Sequence, residues 1–98
     1  MNIVEFVAAL KTAKKDLEKK IEGLEITLDS HYGFNRAELE GGVALCFRVC
    51  LFGYSQEIRI REKWESVDFK KYLDKMHQFI KVSNCKAAID EAFKTEEK

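Results

Sequence analysis

Apolar residues along the chain fall into blocks whose spacing changes from about 3.6 residues to two and back again. In residues 2–22, Ile3, Val7, Leu10, Leu17 and Ile21 recur at helical spacing, with Lys14 the single polar member of the series. Asn2 followed by Glu5 has the form of a capping box, and Gly23 stands where a left-handed residue would end the helix. The outer positions, among them Lys11, Lys15, Asp16, Glu18, Lys19 and Glu22, mix signs as a solvated face does.

From Leu24 the period is two: Leu24, Ile26, Leu28, Ser30 and Tyr32 alternate with Glu25, Thr27, Asp29 and His31. A turn at Gly33-Phe34 would pair Leu28 with Leu39 and Ser30 with Ala37. Small or apolar residues then hold every odd position from Ala37 to Leu51. A straight strand over residues 36–52 would exceed ~50 Å, too long for a domain this small, so a bend or strand break is expected at Gly41-Gly42. A second turn at Gly53-Tyr54 would align Val49 with Ile58 and Phe47 with Ile60, and would set Arg48 directly across from Arg59. The alternation in "EIRIREK" predicts that this sheet has one core face and one charged, open face.

Beyond Trp64, Ser66 is the expected N-cap of a helix carrying Phe69, Leu73, Met76 and Ile80 on its apolar stripe. That stripe would continue through Ser83, Ala87 and Glu91, whereas the apolar residues are Cys85, Ala88, Ile89, Ala92 and Phe93. The change of phase predicts a break near residues 82–84. The expected fold is therefore one α+β domain over residues 1–98: an antiparallel meander of three or four strands, flanked by an N-terminal helix and a C-terminal helix that breaks. Its predicted core comprises Val7, Leu10, Leu17, Ile21, Ile26, Leu28, Leu39, Val43, Leu45, Phe47, Val49, Ile58, Ile60, Leu73, Met76 and Ile80.

Composition narrows the functional classes. Seventeen basic residues balance seventeen acidic ones in 98, so no overall field draws the chain to nucleic acid or anionic lipid. No apolar run has the ~20 residues of a membrane span. Three cysteines without framework spacing fit a reducing compartment, and the expected location is the cytoplasm. Cys46 and Cys50 share one face of an extended strand, which holds them ~13 Å apart, too far for a disulfide or a chelate. A site would require Cys85, His31 or His77 to converge from separate elements, and no P-loop or GxGxxG is present. No enzyme activity, metal or cofactor is expected.

What remains is charge on the open face. Arg48, Arg59, Arg61 and Lys63, with Trp64 at the margin, form the expected partner-binding surface, because opposed like charges on a sheet call for a carboxylate from elsewhere.

Two resemblances follow from the order helix, strands, helix. With Lys70 and Lys71 in "DFKKYLDK" opening the last helix, the chain is similar to double-stranded-RNA-binding domains, although its second turn, "FGYSQ", has no basic residue. In size and element order it resembles small phage-encoded inhibitors of host defence, including anti-CRISPR proteins, which implies binding without chemistry. The expected function is a protein-binding module that blocks a surface of a larger enzyme, with homodimer formation through the sheet face or an edge strand also expected. Nucleic-acid binding is the alternative, and a Cys/His-based activity the third reading.

Overall fold

The computed structural model describes residues 1–34, 43–60 and 62–96. Helix α1 spans Ile3–Lys20, strand β1 Glu25–Phe34, β2 Val43–Leu51, β3 Tyr54–Ile60, a 3-10 turn Trp64–Ser66, and helix α2 Phe69–Glu96. The strands form one antiparallel sheet in the order β1-β2-β3, so the α+β meander expected from the periodicity is the fold.

The start of α1 follows its sequence signal. The Asn2 side chain accepts the Glu5 amide at 2.8 Å, and the Glu5 carboxylate accepts the Asn2 amide at 2.9 Å. At the other end Gly23 takes φ +86°, the left-handed conformation that lets the chain reverse into β1. The face that α1 buries is rotated from the expected one. Phe6, absent from the predicted core, is fully buried with Leu10 and Leu17, while Ile3, Val7 and Ile21 pack at the border. The Phe6 ring meets the edges of Trp64, Phe69 and Tyr72 at 5.7, 5.3 and 5.5 Å and lies tilted against Phe47 at 6.2 Å. One ring thus ties α1 to β2, to the 3-10 turn and to α2.

The expected hairpin at Gly33-Phe34 is not formed. β1 runs through both residues and pairs with β2, Ile26 against Val49 and Leu28 against Phe47, with irregularities on either side of His31. A turn at 33–34 would have set Ile26 against Gly41, so the observed register gains a packed cross-strand pair where the expected one offers no side chain. Leu28 is nonetheless 41% exposed, at the limit of the core. The bend at Gly41-Gly42 and the core positions Leu39 and Val43 lie outside the described side chains.

The β2–β3 turn is formed by Phe52-Gly53, one residue earlier than expected. Their φ values of +55° and +82° are those of a type I′ turn, which matches the twist of a hairpin and favours glycine second. The ladder therefore slips by two residues: Val49 faces Gln56, Phe47 faces Ile58, and Leu45 faces Ile60. A slip of two preserves the faces, so Leu45, Phe47, Val49, Leu51, Ile58 and Ile60 remain buried beneath the helices.

Two expectations for α2 are corrected. Its N-terminus is capped by Asp68, whose carboxylate accepts the Lys70 amide at 3.1 Å, whereas Ser66 ends the 3-10 turn. And α2 does not break at 82–84: it is one helix of 28 residues. The buried stripe of Tyr72, Met76, Phe79, Ile80 and Ser83 stays in phase across that point, and Ala87 continues it half-buried. At its start, Glu62 accepts both the Tyr72 hydroxyl and the Lys71 ammonium, joining the end of the sheet to the first turns of the helix.

Candidate interaction site

The slipped ladder rewrites the open face. Arg48 lies across from Glu57, not Arg59, and Arg59 lies across from Cys46. The opposed arginine pair is therefore not formed. Glu57 stands between the two, 3.6 Å from the Arg48 guanidinium and 2.6 Å from Arg59 Nε. The Arg59 hydrogen bond, with smaller help from Cys46 and Arg48, holds the Glu57 carboxyl below the usual carboxylate range. The thiol of Cys46 is buried beneath this row, Cys50 is half-buried and Cys85 exposed, and none of the three is in a disulfide.

The remaining expected contact residues separate. Lys63 is exposed at the entry to the 3-10 turn, and Arg61 lies outside the described residues. Trp64 is half-buried with its ring against Phe6, and its carbonyl accepts the N-terminal ammonium at 3.3 Å, so it belongs to the packed side rather than to the open face. Tyr54, at the start of β3, reaches α2: its hydroxyl donates to Asp90, and Lys86 lies 5.1 Å from its ring centre. Hydrogen bonding to the Asp90 carboxylate raises the Tyr54 pKa.

A feature that the charge pattern did not indicate lies at the side of the sheet. β3 is an edge strand, and among the described residues no strand pairs with its outer side. Leu51 and Tyr54 close a two-residue turn and so exchange hydrogen bonds. By the alternation of an antiparallel ladder, Gln56, Ile58 and Ile60 also bond inward, which directs the amides and carbonyls of Ser55, Glu57 and Arg59 outward.

Beneath that edge a groove runs between β3 and α2, lined by Gln56, Ile58, Lys75 and Gln78 and continued by Phe79 and Val82. α2 is about 42 Å long against roughly 23 Å for β3, and Asp90 already reaches the first residue of the strand. Its last turns therefore extend past the hairpin. Val82, Ile89 and Phe93 are 37%, 55% and 60% exposed, and at about 100° per residue they lie on the flank of α2 that carries Gln78 and Lys75. The open strand edge and the exposed apolar flank share one side of the molecule. Their sequence signal was the out-of-phase set Cys85, Ile89 and Phe93, which marks a second apolar face of one helix.

Among the described residues, no three His, Cys, Asp or Glu side chains are placed to hold a metal ion, and no helix is long and apolar enough to cross a membrane. Comparison of the chain with family models, with curated proteins and with solved structures gives no match.

Proposed function

We propose that this chain is a protein-binding module that takes an extended segment of its partner onto the outer edge of β3. The observation that carries the reading is the shared side: outward-directed backbone groups along Ser55, Glu57 and Arg59 lie next to an apolar helix flank that the fold leaves uncovered. Strand addition draws affinity from main-chain hydrogen bonds and selectivity from pockets for alternate side chains. The groove of Gln56, Ile58, Lys75 and Gln78 supplies such pockets on one face, and the Arg48–Glu57–Arg59 row meets the other. Exposed aliphatic and aromatic side chains in one patch fit a protein surface better than a phosphate backbone. The module acts by occupancy, and covering a surface of a larger enzyme would inhibit that enzyme.

The test is Arg59→Pro, which removes an outward amide without touching a bond to β2. Capture of a partner from native extract should be lost with this variant while its circular dichroism is unchanged, and the β3 amides should gain exchange protection in the wild-type complex. A partner retained by Arg59→Pro overturns the assignment. So does binding to duplex RNA that falls steeply with salt and is indifferent to the edge block.

A further inference from the structure

We infer that the strand received by the β3 edge is the β3 of a second copy, giving a two-fold dimer with one continuous six-stranded sheet. This rests on the reading of the edge above. It is carried by charge complementarity in one register that the backbone allows, in which Glu57 and Arg59 oppose each other twice.

In an antiparallel pair, residues whose backbone groups point outward must face one another. For β3 these are Ser55, Glu57 and Arg59, which restricts self-pairing to alignments differing by two residues. Centred on Glu57, the two carboxylates oppose each other. Centred on Arg59, the two guanidinium groups do. Centred on Ile58, Glu57 of each copy faces Arg59 of the other, so opposite charges meet twice. Cross-strand pairs of opposite charge stabilise and like pairs destabilise, so the charges select the alignment centred on Ile58.

Charged residues on an edge strand ordinarily guard it against pairing. A guard of one sign would repel a second copy in all three of these alignments, whereas alternating Glu57 and Arg59 repel in two and attract in the third. The same axis, perpendicular to the sheet through Ile58, sets the two α2 helices side by side. Lys75 and Gln78 line the groove at Ile58, so their flank of α2 turns toward the partner's helix, and Val82 on that flank would be covered. The contact is isologous: one patch meets its own copy, as in most closed dimers.

The experiment is sedimentation equilibrium of the full chain and of charge variants. Wild type should dimerise. Glu57→Arg and Arg59→Glu should each weaken self-association by at least about tenfold, since each turns both attractive pairs into repulsive ones. An equimolar mixture of the two variants should recover a one-to-one dimer. In that mixed pair one strand is basic at both positions 57 and 59 and the other is acidic at both, so opposite charges again meet twice. Glu57 also holds Arg48, so folding of each variant is verified by circular dichroism. Arg59→Pro, which keeps the Arg48–Glu57 pair, should be monomeric and tests the edge independently. A wild-type monomer up to millimolar concentration overturns the dimer, while the strand-addition reading is then decided by whether Arg59→Pro loses a foreign partner. A dimer that survives Arg59→Pro, or a mixture that fails to recover, overturns the β3 contact.

Discussion

Phe6 decides how α1 is docked, and its removal has a calculable effect. The helix could turn one of two overlapping faces inward: the heptad series of Ile3, Val7 and Leu10, or the face centred on Phe6. In the structure Phe6 is fully buried and touches four aromatic rings, whereas Val7 is only partly covered. Truncating a buried phenylalanine costs about 3–5 kcal/mol. Loss of the edge-to-face contacts with Trp64, Phe69 and Tyr72 places Phe6→Ala in the upper part of that range. A domain of this size has a total stability of roughly 5–15 kcal/mol, so the variant should lose a large share of it.

Urea unfolding followed by Trp64 fluorescence and by circular dichroism measures the change. A loss of about 4 kcal/mol corresponds to a Tm lower by roughly 20 °C. Val4→Ala is the control: Val4 is 73% exposed, and its truncation should stay within about 0.5 kcal/mol. Val7→Ala should fall between the two. If Phe6→Ala costs less than Val7→Ala, α1 packs through its heptad series and the aromatic cluster is not the centre of the core.

Three further outcomes follow from local chemistry. Phe52 holds φ +55° at the hairpin tip with its side chain 54% exposed, so Phe52→Asn should raise stability by up to about 1 kcal/mol in urea titration, because asparagine tolerates that conformation and little packing is lost. Glu18 accepts the Ile26 amide at 2.8 Å and the Lys14 ammonium at 2.7 Å, which together outweigh its desolvation and lower its pKa; Glu18→Ala should cost about 1 kcal/mol and speed hydrogen exchange at Ile26. Between Glu62 and Tyr72 the signs are opposite. The Tyr72 and Lys71 hydrogen bonds lower the Glu62 pKa, so its contribution is present above pH ~4.5 and is lost as pH falls through the depressed folded value. Burial first, then the Glu62 bond, raises the Tyr72 pKa, so its contribution is present below pH ~10 and is lost as pH rises through the raised folded value. Glu62→Gln should flatten the acid limb of a stability profile and Tyr72→Phe the alkaline limb; an unchanged acid limb would show that the Glu62 bonds are not formed in solution, and an unchanged alkaline limb that the Tyr72 hydroxyl is not buried there.

Elements were legible where a local rule determines them. The Asn2–Glu5 box and Gly23 mark both ends of α1, and period-two alternation marks β2 and β3 with their faces. Register was not legible, because it depends on which residues take the turn. "FGY" offers either Phe52-Gly53 or Gly53-Tyr54, and both keep the isoleucines on the core face. Only the demand for two consecutive positive φ values separates them, since the second choice would put tyrosine at the second left-handed position. That one-residue difference converts an unanswered arginine pair into the Arg48–Glu57–Arg59 row. The inward turn of Phe6 was also hidden, because Phe6 and Val7 are neighbours on the helix and each fits an apolar stripe.

The exposed flank of α2 beside the β3 edge was hidden for a different reason. A phase slip in an apolar pattern has two physical readings, a broken helix or a helix with two apolar faces, and the sequence around "KVSNCKAAI" contains neither proline nor glycine to force the first. Ser83 is buried and Ala87 half-buried in phase with the stripe, and Asp90 still reaches Tyr54. Ile89 and Phe93 depart from that stripe and are exposed. A helix carried past the end of its own core with apolar side chains outward leaves that surface in water unless another chain covers it. The flank that bears them adjoins the β3 edge, so whatever pairs with β3 is also the nearest body able to cover Val82. Val82→Glu should therefore weaken association together with Arg59→Pro, and a Val82→Glu protein that associates as wild type does would separate the helix flank from the strand edge.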